Sequence, residues 1–371
     1  MNTNYTDKLF FGDVDINSLI SVPKPFEHSL SNNKFNQNDS RIVDSILDLY
    51  VHPGLDYRYG NKKTISEKVL EILTNKNIGG DFVDLGSKKR KEILKRINNF
   101  INSEQPIEMR LLSVPFKCPN PLKVRGSLPD LGEYFSILRL LEINLNIKKV
   151  YSPGVRFNVV AESLAFCDIF EITRNEAITY RNSFIEMVKD LKGEKVIKIV
   201  DLMESLNKVH NFKTTKHILE NKLIGSNLLD DLLPAIVMSV NTRNYSMEDL
   251  VLIFDRNKQI YNLPESIRKA RKEIFERSLK ATIKYIAFHK ARELLSTSEK
   301  CFPKMIPCSV VPKSGSITIL PINRNLLPHH GVGVLKSNGS VETKYEVDLL
   351  RSNCRAIYQK DKLNVIGYEE L

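Results

Sequence analysis

Charged side chains are concentrated in residues 114–133, which read VPFKCPNPLKVRGSLPDLGE. In chain order they are Lys117, Lys123, Arg125, Asp130 and Glu133. Cations beside the start of a helix favour binding of a phosphate or a carboxylate, because the free amide groups of the helix add positive potential. We therefore expect this segment to form the active site of a soluble intracellular enzyme.

Asp130 and Glu133 also have a purely structural interpretation. Their spacing is that of a helix N-cap residue and of the carboxylate, three positions later, that binds back to it. Spacing alone therefore favours the capping role over catalysis for both residues.

A second candidate for chemistry is the sequence Pro328-His329-His330-Gly331. Two adjacent imidazoles suit acid–base work near neutral pH. Neighbours on a strand point to opposite faces, so we expect at most one of them to face a given site. The other histidines are dispersed, and no HExxH, GxGxxG or GxxxxGK[ST] sequence occurs. The sequence therefore predicts neither a metal site nor a nucleotide-binding loop.

The elements that must position these residues follow from hydrophobic patterning. Apolar segments at residues 107–116, 154–161 and 196–200 have the length of strands, and helical patterns separate them, including one at residues 175–191. This alternation predicts an α/β fold, a Rossmann-like and mainly parallel sheet with helices on both faces. Ligands bind such sheets beyond the carboxyl ends of the strands, so a substrate is expected at the loop after the first strand.

Helical periodicity predicts further helices at residues 42–50, 64–73 and 87–103, and a long one that starts near Pro264. Short strands between turns are predicted at residues 308–311, 316–320, 331–335 and 355–359. We therefore divide the chain into three parts. These are a helical N-terminal segment (1–103) packed on the core, an α/β core (104–335) and a β-containing tail (336–371).

Composition limits the class of protein. The 371 residues are 42% hydrophobic and 27% charged, as in ordinary globular proteins. The five cysteines are scattered without a CxxC pair, which favours reduced thiols and a cytoplasmic location. The N-terminus lacks the pattern of a targeting segment, and apolar stretches such as residues 228–240 are interrupted by Asp and Pro. We expect no membrane insertion.

The charge balance allows more than one partner. Lys and Arg number 55 against 44 Asp and Glu, a formal net charge of +11. Such a surplus fits nucleic acid, an anionic surface or phosphorylated substrates. The basic helices near Lys88 and Lys269 favour solvent-facing surfaces over nucleic acid, because no interleaved aromatics or known binding module accompany them.

Two longer strings carry a family resemblance. They read VPFKCPNPLKVRGSLPDLGEYFSILRLLE and YSPGVRFNVVAESLAFCD, and they resemble the pyoverdine and dityrosine biosynthesis family, the isonitrile synthases. The family pattern has PFK at the end of a strand, then SPN, KV-x-G and PDLGE, and later a Y-x-PG strand that ends in SDG-x-VF-x-D. The strings KYIAFHKAREL, IPCSVVPKSGSITILP and PHHGVGVL are also similar. The resemblance therefore covers about residues 107–335.

The resemblance implies a reaction. Family members join the amine of tyrosine or tryptophan to the ketone carbon of ribulose 5-phosphate and, through an imine, loss of phosphate and carbon–carbon cleavage, leave an isonitrile. No metal or organic cofactor is implied, and an iron and 2-oxoglutarate dependent oxygenase is an expected pathway partner. The implied catalytic residues are Glu133, Glu162 and His330. The implied substrate-binding residues are Lys117, Lys123, Arg125, Asp130, Arg156, Ser309 and His329.

The chain also departs from the family pattern. Ala161, Glu162 and Ser163 stand where the family has SDG, and His329 replaces the tryptophan of a PWH sequence. Where an R-x-S-x-H-P strand is expected, Val311 occupies the histidine position and the basic residue is also missing. A diverged member that acts on another amine or another sugar phosphate is therefore the first alternative. A basic nucleic-acid-binding protein that uses the helices near Lys88 and Lys269 is the second.

Overall fold

The computed structural model of the chain describes most of the region predicted to hold the site. The described residues are 63–75, 85–114, 116–124, 126–226, 229, 232–254, 263–310, 316–319, 326–337, 341–349, 352–358 and 365–371. The helix predicted at residues 42–50, together with Arg125 and Val311, lies outside them.

A parallel sheet forms the centre of the described structure. Its strands are β1 (Ile107–Val114), β2 (Val155–Ala161), β3 (Ile197–Asp201), β4 (Ile306–Ser309) and β5 (Ile317–Thr318). They lie in the order β3-β2-β1-β4-β5, and every neighbouring pair is parallel. Strands β2 and β3 are therefore added on one side of β1, and strands β4 and β5 are added on its other side. The predicted mainly parallel α/β sheet is confirmed, and the switch in direction between β1 and β4 is where such sheets bind ligands.

Helices surround this sheet. They are α1 (Ile65–Leu73), α2 (Gly86–Asn102), α3 (Leu131–Lys148), α4 (Ser163–Phe170), α5 (Arg174–Asp190), α6 (Leu202–Leu206), α7 (Phe212–Leu223), α8 (Leu233–Val237), α9 (Met247–Phe254), α10 (Glu265–Leu294), α11 (Thr297–Cys301) and α12 (Glu346–Leu349). Within the described residues, none of these is long and apolar enough to cross a bilayer.

Local sequence explains where three helices begin. Capping boxes join Thr64 to Glu67 at α1, Asp130 to Glu133 at α3, and Thr173 to Glu176 at α5. In each box the first residue's side chain accepts from the backbone of the helix, and the Glu accepts from the backbone of the first residue. The capping role predicted for Asp130 and Glu133 is confirmed.

A second, mixed sheet packs against the start of α3. Its strands are β6 (Val332–Leu335), β7 (Val341–Lys344), β8 (Cys354–Tyr358) and β9 (Val365–Glu370), in the order β7-β6-β9-β8. The β-rich C-terminal part is therefore confirmed. The predicted division after Leu335 falls between β6 and its two partners in this sheet.

Gly333 allows β6 to approach the first turn of α3. A Cβ at Gly333 would lie 2.4 Å from the amide nitrogen of Gly132 and 2.8 Å from the carbonyl carbon of Leu131. Because both contacts are with backbone, Gly333→Ala is expected to lower the free energy of unfolding by about 1–3 kcal/mol, as overpacked cores do. Urea denaturation measures the change. Gly126→Ala is the control, since its Cβ would meet nothing within 4 Å, and equal stability of the two variants would refute the prediction.

Candidate active site

Lys117 lies at the centre of a buried polar network, with its side chain fully excluded from solvent. Its Nζ donates to Asp130 Oδ2 and, at 2.9 Å, to the carbonyl oxygen of Gly331. A third partner, Glu133 Oε2, lies at 3.2 Å. An ammonium group has three hydrogens, and these three acceptors account for all of them. Lys117 therefore has no donor left for a substrate, and its ammonium group instead holds Asp130, Glu133 and the Gly331 carbonyl together.

The carboxylate oxygens of Asp130 and Glu133 also accept hydrogen bonds from backbone amides. Asp130 Oδ1 accepts from the Gly132 amide at 2.7 Å and from the Gly333 amide at 3.3 Å. Glu133 Oε2 accepts from the Asp130 amide at 2.8 Å. Both side chains are almost completely buried. Two carboxylates therefore share the single ammonium group of Lys117. Asp130 and Glu133 thus cap α3 and belong to the buried network at the same time.

Tyr180 on α5 completes the network, since its hydroxyl donates to Glu133 Oε1 at 2.9 Å. Burial raises the pKa of Tyr180 well above its ordinary value, and the charge of Glu133 raises it further. The phenol therefore stays protonated at neutral pH and remains a hydrogen-bond donor.

Glu133 has the titration behaviour of an acid–base residue. Burial raises its pKa to about 7, with the Asp130 charge adding to the rise, while Lys117 and the hydrogen bonds from Asp130 and Tyr180 oppose it. Burial lowers the pKa of Lys117, but Asp130 and Glu133 outweigh burial, so that pKa is raised and Lys117 stays charged. Glu133 can therefore gain and lose a proton near neutral pH.

A cleft that is partly open to solvent borders Glu133, Tyr180 and His329. The rest of its lining is largely apolar: Leu111, Ser136, Leu140, Val159, Phe184, Val310, Ile319, Leu327 and Pro328. Leu111 belongs to β1 and Val310 follows β4, so the cleft lies at the switch point of the sheet. Its mainly apolar lining with a few polar groups is typical of a small-molecule site.

The two histidines occupy a 3-10 turn, Pro328–His330, and not a strand. The strand interpretation was wrong because the His330 amide donates to the Leu327 carbonyl at 2.9 Å, which closes a turn before β6 begins. The two rings consequently lie side by side, with centroids 4.2 Å apart.

Both imidazoles are neutral at physiological pH. Burial lowers the pKa of His329 to about 3, with Lys117 and Lys123 adding to the effect. Burial also lowers the pKa of His330 well below its ordinary value, and His329 and Lys123 contribute. The pair can therefore accept or donate hydrogen bonds, but it does not supply imidazolium charge.

Lys123 supplies the positive charge next to the histidines. It is 7% exposed, and its Nζ lies 5.8 Å from the ring centroid of Tyr345. The turn that carries it is held by Asn120, whose side chain donates to the Met238 carbonyl at 3.2 Å and accepts from the Leu122 amide at 3.0 Å. The structure thus brings Lys117, Lys123, Asp130, Glu133 and the histidine pair into one region.

Two other residues implied by the family resemblance, Arg156 and Glu162, have ion-pair partners outside the Glu133 network. Arg156 is the second residue of β2 and pairs with Glu108 at 3.0 Å, at the amino ends of the strands. Glu162 pairs with Arg292 of α10 at 3.1 Å. Ser309 ends β4. The structure does not join Arg156 or Glu162 to the Glu133 network, and among the described residues no group of three or more His, Cys, Asp or Glu could hold a metal.

Sequence reasoning missed Tyr180, Asn120 and Arg292. Tyr180 and Arg292 lie 47 and 130 residues from their carboxylate partners. No local spacing in the sequence predicts either contact. Asn120 stands in the segment 114–133, in the string that corresponds to SPN, and could have been identified there.

The fold and the site define an α/β protein whose buried lysine–carboxylate network adjoins an apolar cleft at the carboxyl edge of a parallel sheet. The family model described as pyoverdine/dityrosine biosynthesis protein matches residues 97–349, more than half of the chain. The chain belongs to this family, which confirms the resemblance found in its sequence.

Similar proteins include an L-tryptophan isonitrile synthase from Fischerella ambigua, 28% identical over 103 residues, which are 28% of this chain and 32% of that protein. An L-tyrosine isonitrile synthase from Pseudomonas aeruginosa is 33% identical over 98 residues, 26% of this chain and 30% of its own length. The matched segments therefore span about a third of each relative. The crystal structure of the PvcA protein from Pseudomonas aeruginosa covers 83% of this chain and 100% of its own, with a TM-score of 0.61 and 19% identity, and the two share a fold.

Proposed function

We propose that this protein forms an isonitrile from the amine of an aromatic L-amino acid, with ribulose 5-phosphate as the second substrate. The observation that carries the proposal is a buried carboxyl group, Glu133, with a pKa of about 7 beside an apolar cleft. The relatives named as tryptophan and tyrosine isonitrile synthases support this choice of reaction.

The proposed chemistry needs proton transfers that Glu133 can perform. An amino acid carries an ammonium group at neutral pH, and it must lose a proton before its nitrogen attacks the ketone carbon of the sugar. Glu133 accepts that proton and returns it to the hydroxyl group that leaves as water when the imine forms. The carboxylate is then free to remove a proton in the elimination of phosphate and to return it in the carbon–carbon cleavage. The apolar lining of the cleft receives the amino-acid side chain.

The neighbours of Glu133 have supporting roles in this proposal. Lys117, whose donors are all occupied, is a positioning residue that holds Asp130 and Glu133 in place. Lys123 offers a charge to a substrate carboxylate or phosphate, and neutral His329 offers a hydrogen bond from the wall of the cleft. Arg156, Glu162 and Ser309 have no part in the proposed proton transfers.

The direct test uses purified protein with ribulose 5-phosphate and each amino acid in turn. Isonitrile is identified by product mass and released phosphate is quantified. Absence of phosphate release with every amino acid would refute the proposal. Phosphate release with a different product mass would identify the diverged alternative, and an isonitrile product would in turn be a substrate for an iron and 2-oxoglutarate dependent oxygenase.

Tyr180→Phe tests whether the ionisation of Glu133 sets the pH dependence of kcat/KM. The lost hydrogen bond stabilises the carboxylate, so its removal raises the pKa of Glu133 above about 7. If Glu133 acts as the base in free enzyme, the acidic limb of the kcat/KM profile moves up by about one pH unit, the worth of one charge-assisted hydrogen bond. Tyr151→Phe is the control, because Tyr151 donates to the Phe100 and Gln105 carbonyls away from the cleft. An unchanged profile in Tyr180→Phe would exclude Glu133 as that base.

A further inference from the structure

Ser136 faces the cleft from the first half of α3. Glu133, Ser136 and Leu140 all line the cleft, and residues spaced three and four apart lie on one face of a helix. Ser136 is half-buried, so a molecule in the cleft can reach its side chain. Its hydroxyl group therefore lies within one helical turn of the residue that is proposed to transfer protons.

The hydroxyl group of Ser136 presents an acceptor to the cleft. Its Oγ donates its single hydrogen to the Gly132 carbonyl at 2.8 Å, within the same helix. No residue in the described part of the chain donates a hydrogen bond to this oxygen. The lone pairs of Ser136 Oγ are therefore available to a donor on a bound ligand.

Three other polar side chains among the described residues line the cleft: Glu133, Tyr180 and His329. Glu133 and Tyr180 are joined by a hydrogen bond of 2.9 Å, and they are 3% and 1% exposed. His329 is a neutral imidazole, which can present either a donor or an acceptor to a ligand. Ser136 is thus the accessible side chain of the described lining that offers an acceptor alone.

The walls around Ser136 are apolar. Leu111 of β1 and Val159 of β2 are neighbours in the register of the sheet, and both line the cleft. Phe184 adds an aromatic side chain from α5. A ligand donor that enters such a cleft loses its hydrogen bonds with water and needs a protein oxygen in their place. Ser136 Oγ supplies that oxygen.

We propose that Ser136 selects aromatic amino acids whose ring carries a hydrogen-bond donor, and that its Oγ accepts the hydrogen bond from an indole N–H or a phenol O–H. The inference rests on the proposed function, in which the cleft receives the side chain of an aromatic amino acid. A benzene ring fits the same apolar walls but makes no bond to Ser136, so phenylalanine binds more weakly. Ser136 thereby determines specificity, while Glu133 transfers protons.

Equilibrium binding measures this preference without turnover. The full chain is titrated calorimetrically, without a sugar phosphate, with two pairs of amino acids. The first pair is L-tyrosine and L-phenylalanine, and the second is L-tryptophan and its benzothienyl analogue, in which sulfur replaces the ring N–H. Wild-type protein is expected to bind the donor member of at least one pair about fivefold more tightly, the usual contribution of one hydrogen bond between neutral groups. The pair that shows the preference identifies the ring.

Ser136→Ala is expected to bring that ratio below about twofold, because alanine has no acceptor. Affinity for the member without a donor should stay near that of wild type, whereas loss of a serine that only supports the helix would weaken both members alike. Ser205→Ala is the matched control. Ser205 is also half-buried and donates to the Asp201 carbonyl at 3.1 Å, four positions earlier in the chain, but it does not line the cleft. This variant should keep the wild-type ratio.

Three results would overturn the proposal: no binding of any of the four amino acids, no preference within either pair in wild type, or a preference that Ser136→Ala retains. The reaction assay gives separate outcomes. Isonitrile formation without a preference that depends on Ser136 would leave the proposed function standing and refute the assignment of Ser136. A preference that depends on Ser136, in a protein that forms no isonitrile, would support the assignment and refute the proposed reaction.

Discussion

If the proposed reaction is correct, replacement of Glu133 by glutamine is expected to lower kcat for isonitrile formation by at least about a hundredfold, since general acid–base catalysis contributes roughly 10²–10⁴. Glutamine has the same shape and can still accept a hydrogen bond from Tyr180 or from the Asp130 amide. It cannot take up a proton from the substrate amine. Product formation at saturating substrate measures the loss, and circular dichroism shows whether the fold is kept.

Glu176→Gln is the matched control for Glu133→Gln. Glu176 closes the capping box of α5 in the same way that Glu133 closes that of α3, but it does not line the cleft. A comparable loss of kcat in both variants would indicate that helix capping explains the effect. Retention of more than about a tenth of wild-type kcat in Glu133→Gln would contradict the general-base role.

Glu133 also gives the stability of the protein a pH dependence. Its pKa is raised from 4.5 to about 7 on folding, so between these values the folded protein holds a proton that the unfolded chain has released. The free energy of unfolding therefore falls as pH rises through this window. Glu133→Gln lacks this contribution, and urea denaturation between pH 4.5 and 7 would show a flatter profile.

Replacement of Lys117 by methionine is expected to lower the free energy of unfolding by about 3–5 kcal/mol at pH 7, the cost of removing one partner from a buried ion pair. Methionine is apolar and similar in length, so packing changes little. Asp130 and Glu133 would then share a buried site without a cation, because Lys117 is their ion-pair partner there. Urea denaturation measures the difference, with exposed Lys95→Met expected to stay within about 0.5 kcal/mol of wild type.

The deficit of Lys117→Met should shrink as the pH is lowered. Without the ammonium group, each carboxylate can be neutralised by a proton, and protonation costs less free energy at low pH. The stability difference from wild type is therefore smaller at pH 5 than at pH 7. An equal deficit at both values would show that lost packing, and not uncompensated charge, destabilises the variant.

The sequence predicted those features that depend on local spacing. The capping box at Asp130 and Glu133 is one example, because three-residue spacing at a helix start has one dominant structural solution. The parallel sheet is another, since strands that alternate with helices require crossover connections.

Contacts between distant residues could not be predicted in this way. Arg156 was assigned to the site, but the register of β1 against β2 places Glu108 beside it at the amino edge. The pairing of Lys117 with the Gly331 carbonyl spans 214 residues. Such partners are set by strand order and packing, which local patterns do not encode.

That long contact has a consequence for biosynthesis of the protein. Lys117, Asp130 and Glu133 all lie in the first 133 residues of the chain, while the Gly331 carbonyl and the Gly333 amide close the network from β6. Because folding can begin while a chain emerges from the ribosome, strands β1 to β3 can pair long before β6 has been translated. Until residue 333 emerges, the network lacks both backbone groups, so the candidate site cannot be complete before β6 has been translated.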